Sequence, residues 1–284
     1  MRIKKLRGLS AVGFHDFYYR EWGNPKNPTI VMVHGLSRNS LDFELLGEFL
    51  KSDYHCIAVD MVGRGLSDFL PNSSLYTFAQ YFSDITSLLN VLDKEEVTWL
   101  GTSMGGLLGI ILAAQEKTPI KKLLLNDVSP YVPGEWILSI REKIGLKPAF
   151  ATFEQAVKFV KQFYADFCLP DENGWIWQTN ASIVKNQEGL FEISYDSKLS
   201  NLGHFDKNLT PRNFDVTLWP QWEKISCPIY LLYGKKSLLV NNDLIEKMKS
   251  TKPSLKVFGI ENVGHAPAFY GEDFLKSCKD FFEL

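Results

Sequence analysis

The chain has 284 residues, of which 45% are hydrophobic and 23% charged, and its 31 Lys and Arg against 33 Asp and Glu give a formal net charge of −2 at pH 7. This length and composition predict a globular protein with one large domain, or with a core domain that carries a second unit, and disfavour a fibre or a repeat of small modules. Without a net positive field to attract phosphates or anionic lipid, neither nucleic acid nor a membrane surface is expected as a partner.

The N-terminal segment and the cysteines give expectations about the cellular location of the protein. Residues 1–7 are basic, but no apolar block follows them, so the sequence predicts no signal peptide. The longest apolar stretch, residues 106–114, is far shorter than the roughly 20 residues that span a bilayer. Four cysteines stand far apart, without a C-x-x-C pair or an interleaved His: Cys56, Cys168, Cys227 and Cys278. We therefore predict reduced thiols in a cytoplasmic protein, with neither a zinc site nor a disulfide framework.

Six short apolar runs are typical of buried parallel strands, because most lack the alternation of a sheet with one wet face. They cover residues 30–33, 56–59, 97–100, 123–125, 229–233 and 255–260. Helical patterns lie between them, and the clearest places apolar residues at spacings of three and four over residues 78–92. Alternating strands and helices predict an α/β fold with a mostly parallel central sheet covered by helices on both faces.

The alternation breaks after Asp127 and resumes near Cys227. We predict a core formed by residues 1–129 and 223–284, with residues 130–222 inserted as a helical cap whose helices cover residues 136–144, 153–167 and 175–184. Residues 131–222 contain 16 of the aromatic residues in a chain that has 7 Trp, 11 Tyr and 20 Phe. Part of this excess is expected to line an apolar pocket for a small-molecule substrate, and the rest to join the cap to the core.

The segment Gly101-Thr102-Ser103-Met104-Gly105 follows a predicted strand and opens a predicted helix. In that context G-x-S-x-G forms a nucleophile elbow, a sharp turn that needs small residues two positions before and after its centre. The pattern predicts Ser103 as a nucleophile and the Met104 N–H as a donor to an oxyanion at the helix N-terminus. The alternative is a helix-capping Ser in a Gly-rich turn.

A second oxyanion donor is expected from His34-Gly35-Leu36, just beyond the first long predicted strand. We predict that the Leu36 N–H supplies it, because Gly35 lets the backbone approach closely. His34 is interpreted as an orienting side chain or as part of the loop structure rather than as the catalytic base.

His265 is the histidine that follows the last predicted strand, between Gly264 and Ala266-Pro267. A serine nucleophile needs a base to take its proton, and a loop of this kind can hold an imidazole over the elbow. We therefore predict His265 as the base. The other three histidines, His15, His55 and His204, have no comparable context and are interpreted as structural or surface residues.

Taken together, the elbow, the oxyanion loop and the late histidine resemble the α/β-hydrolase fold family over nearly the whole chain, most closely its cap-bearing serine esterases and carbon-carbon-bond hydrolases. The matching segments are residues 34–39, 60–67, 101–106, 125–128 and 264–267. The resemblance implies the α/β-hydrolase fold, a structural turn to which Asp60 and Asp68 belong, and no cofactor. Ser103 in place of Asp argues against the haloalkane dehalogenase and epoxide hydrolase chemistries of related proteins.

The acid of the expected triad departs from the common family pattern. Such hydrolases usually carry it in a Gly-x-x-Ser-Asp segment, where this chain has Gly234-Lys235-Lys236-Ser237-Leu238. Some members take the acid from the end of the preceding core strand, and Asp127 occupies that place. The resemblance therefore indicates Asp127 as the triad acid, with a turn-forming Asp as its alternative and Asp243 as a weaker substitute.

These assignments predict a serine hydrolase acting on a carboxylic ester or similar acyl compound, with an uncharged acyl chain or ring as substrate. One alternative is a carbon-carbon-bond or enol-lactone hydrolase with the same triad, for which Arg38 beside the oxyanion loop would bind a substrate carboxylate. Another is a non-catalytic binding or sensor protein, suggested by Leu238 where an acid is common. The oligomeric state is left open by the sequence.

Overall fold

The computed structural model describes residues 1–201 and 214–277. Its centre is an eight-stranded sheet in the order β1-β2-β4-β3-β5-β6-β12-β13, in which β1 and β2 run antiparallel to their neighbours and the other adjacent strands are parallel. The strands are β1 (Arg2–Ser10), β2 (Gly13–Trp22), β3 (Thr29–Val33), β4 (His55–Asp60), β5 (Val97–Thr102), β6 (Ile120–Asn126), β12 (Ile229–Gly234) and β13 (Lys256–Ile260). This arrangement confirms the predicted mostly parallel sheet.

The central strands β3, β4 and β12 are buried on both faces, which explains why they form continuous apolar runs in the sequence. Successive side chains of a strand point to opposite faces. Val31 and Val33 of β3 accordingly belong to one hydrophobic cluster, and Ile30 and Met32 belong to another. The antiparallel hairpin of β1 and β2 was missed by the sequence analysis, because β1 is largely exposed and lacks a continuous apolar run.

Helices cover the two faces: α1 (Glu44–Leu50), α2 (Phe78–Leu92), α3 (Met104–Ala113), α7 (Trp219–Lys224), α8 (Asn242–Thr251) and α9 (Glu272–Ser277). The predicted helix over residues 78–92 has these bounds in the structure, and it begins where the Thr77 side chain accepts a hydrogen bond from the Gln80 N–H. By contrast, α3 is apolar and buried almost all round, because it packs directly behind the nucleophile elbow.

Most of the predicted cap forms a mixed unit between β6 and α7. It contains α4 (Gly134–Ile144), α5 (Phe153–Phe163) and α6 (Glu172–Ser182), close to the three predicted helices. Its strands are β7 (Tyr131–Val132), β8 (Ala149–Phe150), β9 (Ile183–Lys185), β10 (Phe191–Ile193) and β11 (Val216–Thr217); β8, β10 and β9 make a small sheet, and β7 pairs with β11. The division of the chain at residues 130 and 222 stays a prediction, and His204 and Cys278 lie outside the described residues.

Gly105 at the start of α3 fixes how closely this helix approaches the sheet. A Cβ at this position would collide with the backbone carbonyl of Val33, and a Cβ at Gly101 would collide with the backbone of Gly105. The Val33 backbone cannot move without displacing β3, and the Gly105 backbone cannot move without displacing α3. The two small residues of the elbow motif are therefore required by packing as well as by the turn.

We expect Gly105→Ala to lower the free energy of unfolding by about 1–3 kcal/mol, the usual cost of overpacking a buried site. Gly145→Ala is the matched control, since Gly145 has φ −65° and its Cβ would meet the Ser200 side chain only at 3.4 Å. The free energy of unfolding of Gly145→Ala should stay within about 1 kcal/mol of the wild-type value. Urea unfolding followed by circular dichroism measures both changes, and equal effects would contradict the packing argument.

Candidate active site

Ser103 lies at the sharp turn between β5 and α3. Its backbone has φ 50° and ψ −114°, an unfavourable conformation for a residue with a side chain. The turn is held by a hydrogen bond from the Ser103 N–H to the Asn126 carbonyl at 3.0 Å, and by bonds from the Gly106 and Leu107 N–H groups to the Ser103 carbonyl. These contacts present the Ser103 side chain above the carboxyl edge of the sheet.

The structure brings Ser103, His265 and Asp127 together, although His265 follows Ser103 by 162 residues. The distance from His265 Nε2 to Ser103 Oγ is 3.0 Å, and that from His265 Nδ1 to Asp127 Oδ2 is 2.6 Å. A carboxylate only accepts, so Nδ1 carries the proton and Nε2 of the neutral ring is left to accept from the Ser103 hydroxyl. The Trp136 ring stands edge-on to the imidazole, 5.0 Å between centroids.

Asp127 follows the end of β6 with φ 53°, a left-handed conformation that Asp tolerates better than most residues. Its side chain is fully buried, and it accepts from the Gly234 N–H at 3.0 Å and from the Ser237 hydroxyl at 2.6 Å as well as from His265. Leu238 is 80% exposed. Asp243 is also exposed, in the first turn of α8, so neither residue 238 nor residue 243 is placed to contact the imidazole.

The loop after β3 runs beside Ser103. A Cβ added to Gly35 would lie 3.7 Å from Ser103 Cβ. The Gly35 carbonyl accepts from His34 Nδ1–H at 2.7 Å and from the Arg38 N–H at 3.1 Å, which fixes the peptide plane that carries the Leu36 N–H. Leu36, Ser103 and Met104 all line one cavity.

Both ring nitrogens of His34 are occupied within the protein. Nδ1 donates to the Gly35 carbonyl, and Nε2 accepts from the Met61 N–H at 3.1 Å. Burial, followed by the nearby positive charge of Arg64, lowers the pKa of His34 from 6.5 to about 3. The ring is therefore neutral at physiological pH and cannot take a proton from Ser103 without losing its structural contacts.

Arg38, predicted to bind a substrate carboxylate, is buried and fully engaged elsewhere. Its guanidinium forms an ion pair with Asp42, donates to Ser182 Oγ at 2.5 Å and stacks over the Tyr164 ring with 4.6 Å to the centroid. It is not among the residues that line the cavity beside Ser103. In this structure Arg38 ties the loop after β3 to α6.

The cavity beside Ser103 has a volume of about 420 Å³, within the range of small-molecule sites. Its walls are almost entirely apolar and come from the core as well as from the predicted cap: Leu36, Tyr76, Tyr81, Met104, Leu107, Val128, Trp136, Ile137, Ile140, Phe214 and Leu239. The carboxylate of Asp215 at its edge accepts from Tyr131 Oη and from the Gly134 N–H, both at 2.8 Å. The lining suits an uncharged organic group.

The remaining sequence candidates lie apart from this cavity. His15 contacts Asp84 at 2.9 Å, and His55 contacts Glu21 at 2.7 Å. Asp60 accepts from the Ser40 and Leu66 N–H groups and Asp68 accepts from the Asp16 N–H, so both hold loops together. Within residues 1–201 and 214–277, no cluster of His, Cys, Asp and Glu could hold a metal ion, and no helix has the length and apolar character to span a bilayer.

Three residues around the site were missed by the sequence analysis. Ser237 supports the Asp127 carboxylate, Asn126 Nδ2 donates to the Pro267 carbonyl next to the His265 loop at 2.9 Å, and Arg64 contacts the oxyanion loop. Ser237 and Asn126 stand next to positions that the motif analysis did consider. The sequence signal that could have identified these two residues is a polar side chain at or shortly after the end of a predicted strand.

Comparisons with known proteins identify the family of this chain. The sequence profile of the alpha/beta hydrolase fold family matches residues 28–272. The chain is 33% identical to the 3-hydroxybutyrate-oligomer hydrolase of Cupriavidus necator over 99% of this chain and 97% of that protein, and 32% identical to Esterase YbfF of Escherichia coli over 84% and 86%.

A solved structure shows the same fold. The crystal structure of an alpha/beta hydrolase from Novosphingobium aromaticivorans superposes with a TM-score of 0.86, at 27% identity, over 99% of this chain and 98% of that one. With the mostly parallel sheet, the flanking helices and the family match in agreement, this chain belongs to the α/β-hydrolase fold family.

Proposed function

We propose that this protein hydrolyses carboxylic esters through an acyl-enzyme intermediate. The observation that carries the proposal is the hydrogen-bonded chain from Ser103 Oγ through His265 to Asp127, with contacts of 3.0 and 2.6 Å, in which Ser103 lines an apolar cavity. Membership of a hydrolase family whose relatives include an esterase supports the reaction class.

In the proposed reaction, Ser103 Oγ bonds to the ester carbonyl carbon while its proton moves to His265 Nε2. The carbonyl electron pair moves onto oxygen, where the Leu36 and Met104 N–H groups donate to the oxyanion. Collapse of this intermediate expels the alcohol, which takes the proton from His265. Water then adds to the acyl-enzyme by the same route, and release of the acid returns the proton to Ser103. Asp127 keeps the ring in the required tautomer throughout.

For the substrate we propose an ester whose acyl part is uncharged and fills the cavity. The relative named for 3-hydroxybutyrate oligomers spans nearly the whole of this chain, so short oligoesters of 3-hydroxy acids are the first natural-type substrates to test. Small aliphatic units of this kind suit a cavity walled by Leu107, Ile137 and Ile140.

The two alternatives receive less support. A carbon-carbon-bond hydrolase acting on an acidic cleavage product would need a cation facing the substrate, whereas the Arg38 guanidinium is engaged by Asp42 and Ser182. A binding or sensor protein would not need an ordered path from Ser103 to a buried carboxylate. The cytoplasmic location stays a prediction.

The nucleophile assignment predicts that a fluorophosphonate probe labels Ser103. Ser103→Ala should abolish labelling and lower ester turnover by about 10⁴-fold or more, because no acyl-enzyme can form. Substrate specificity is measured with a panel of p-nitrophenyl esters of graded chain length. The panel also contains 3-hydroxybutyrate dimers and trimers, a meta-cleavage product and a phosphorylated ester. Labelling that survives Ser103→Ala would contradict the assignment, and preference for the meta-cleavage product would favour the carbon-carbon-bond hydrolase.

If Asp127 is the triad acid, replacing it should lower kcat strongly, whereas replacing Leu238 should change kcat little. Asp127→Asn should leave folding intact and lower kcat by about 10² to 10⁴-fold, since the amide no longer holds the required imidazole tautomer. Leu238→Asp should change kcat little, because residue 238 is exposed. Steady-state kinetics with circular dichroism as the folding control tests both. If Leu238→Asp raised activity while Asp127→Asn had no effect, a decayed site would replace this assignment.

The contacts of Ser237 predict a supporting role for its hydroxyl. Its oxygen accepts from the Leu239 and Val240 N–H groups at 3.1 and 3.3 Å, so its one proton is directed to Asp127 Oδ2. Ser237→Ala should lower kcat by about threefold to tenfold, the loss of one hydrogen bond to a charged group.

The pH profile separates this role from simple destabilisation. Without the Ser237 hydroxyl, the Asp127 charge is less neutralised and attracts the protonated imidazole more strongly, so the acidic limb of the kcat/KM profile should move to higher pH. The exposed Ser250→Ala is the control, since its hydroxyl only caps its own helix at the Lys247 carbonyl. An unmoved acidic limb in Ser237→Ala would show that the hydroxyl serves stability alone.

A further inference from the structure

Arg64 is a fully buried arginine in the turn that follows β4. Its Nε–H donates to the Leu36 carbonyl at 2.8 Å, and Nη1 donates to the Val62 carbonyl at 2.7 Å and to Tyr81 Oη at 2.8 Å. Nη2 lies 3.6 Å from Met104 Sδ. The guanidinium therefore touches both residues whose N–H groups are the proposed oxyanion donors.

Arg64 differs from the other buried arginines in the groups that lie against its charge. Arg20 pairs with Asp60 at 3.0 Å, and Arg38 pairs with Asp42. Among residues 1–201 and 214–277, Arg64 forms no ion pair with a carboxylate, and its partners are carbonyls, a hydroxyl, a sulfur and the Tyr81 ring, 5.0 Å to the centroid. Burying a cation without a carboxylate partner is costly, so its position calls for a functional explanation.

The positive charge of Arg64 also acts electrostatically on the loop after β3 that carries Leu36. After burial, the charge of Arg64 is the largest cause of the lowered pKa of His34, whose ring is bonded to the Gly35 carbonyl. The Gly35 carbonyl belongs to the peptide that carries the Leu36 N–H. A positive charge that disfavours a second cation at this loop favours an anion there.

We infer that Arg64 is a positioning residue of the oxyanion hole, which fixes the Leu36 and Met104 segments and whose unpaired charge stabilises the oxyanion. This inference rests on the proposed function. The substrate carbonyl oxygen is neutral before attack, whereas in the tetrahedral intermediate negative charge develops at that oxygen, held by the two N–H groups. The charge of Arg64 therefore acts more strongly in the transition state than in the ground state, which is the condition for raising kcat.

A purely structural role makes a different prediction. If Arg64 only ties the turn to the oxyanion loop through neutral acceptors, its replacement would lower stability and the fraction of active enzyme. It would not change how readily an oxyanion ionises in the molecules that remain folded. The test must therefore observe the oxyanion itself.

An aryl trifluoromethyl ketone provides that observation, because Ser103 adds to its carbonyl and forms a hemiketal whose ionisation is visible by ¹⁹F NMR. Arg64→Gln removes the charge and keeps side-chain donors, and Arg64→Lys keeps the charge. In Arg64→Gln the hemiketal should ionise at a pH higher by about one unit or more, and kcat should fall about tenfold to 100-fold with a smaller change in KM. For Arg64→Lys we expect a pH of hemiketal ionisation and a kcat between those of Arg64→Gln and the wild type.

Arg7→Met is the control for a change of net charge, since Arg7 is an exposed side chain on β1 and should leave the hemiketal titration unmoved. If the hemiketal of Arg64→Gln ionises at the wild-type pH, the inference is overturned. If Arg64→Gln does not fold, the comparison rests on Arg64→Lys, whose shorter side chain holds the charge in a different position and should raise the pH of hemiketal ionisation by a smaller amount. Ionisation of the Arg64→Lys hemiketal at the wild-type pH then overturns the inference. If the wild type forms no adduct with the ketone and no fluorophosphonate label, it is the proposed function that fails.

Discussion

The Asp127 carboxylate accepts three hydrogen bonds, and the geometry of the whole site depends on them. The donors are His265 Nδ1 after β13, the Gly234 N–H at the end of β12 and the Ser237 hydroxyl in the loop that follows. A buried carboxylate without such donors would be too costly to keep. Because two segments, the end of β12 with its loop and the loop after β13, converge on one side chain, the imidazole has a fixed orientation toward Ser103.

A second polar network does the same for the other side of the cavity. His34, Arg38 and Arg64 hold the carbonyls of Gly35 and Leu36, which leaves the Leu36 N–H directed away from those contacts. Groups that are fixed before the substrate arrives need no reorganisation when charge develops, and this is the main way in which enzymes stabilise an oxyanion. The cavity that Leu36 and Met104 line has almost entirely apolar walls.

The sequence predicted those parts of the molecule that follow from local chemistry. Continuous apolar runs revealed the strands buried on both faces, and the glycines around Ser103 revealed the elbow because a side chain there would collide with Val33 or Gly105. The exposed β1 gave no such run. Ser237 and Arg64 were missed for another reason: each acts through a partner that is distant in sequence, Ser237 on Asp127 and Arg64 on Leu36, so only the folded chain shows the contact.

The position of the acid follows from the order of the strands. β6 and β12 are adjacent and parallel, with Asn126 opposite Leu232, so their carboxyl ends reach the same edge of the sheet. The Asp127 N–H still pairs with the Leu232 carbonyl at 2.8 Å, and its left-handed backbone then turns the side chain toward the β12 loop. An acid on either strand end can therefore meet the same imidazole. When it comes from β6, the β12 loop is left to supply donors, which are the Gly234 N–H and the Ser237 hydroxyl, and residue 238 is released to the solvent.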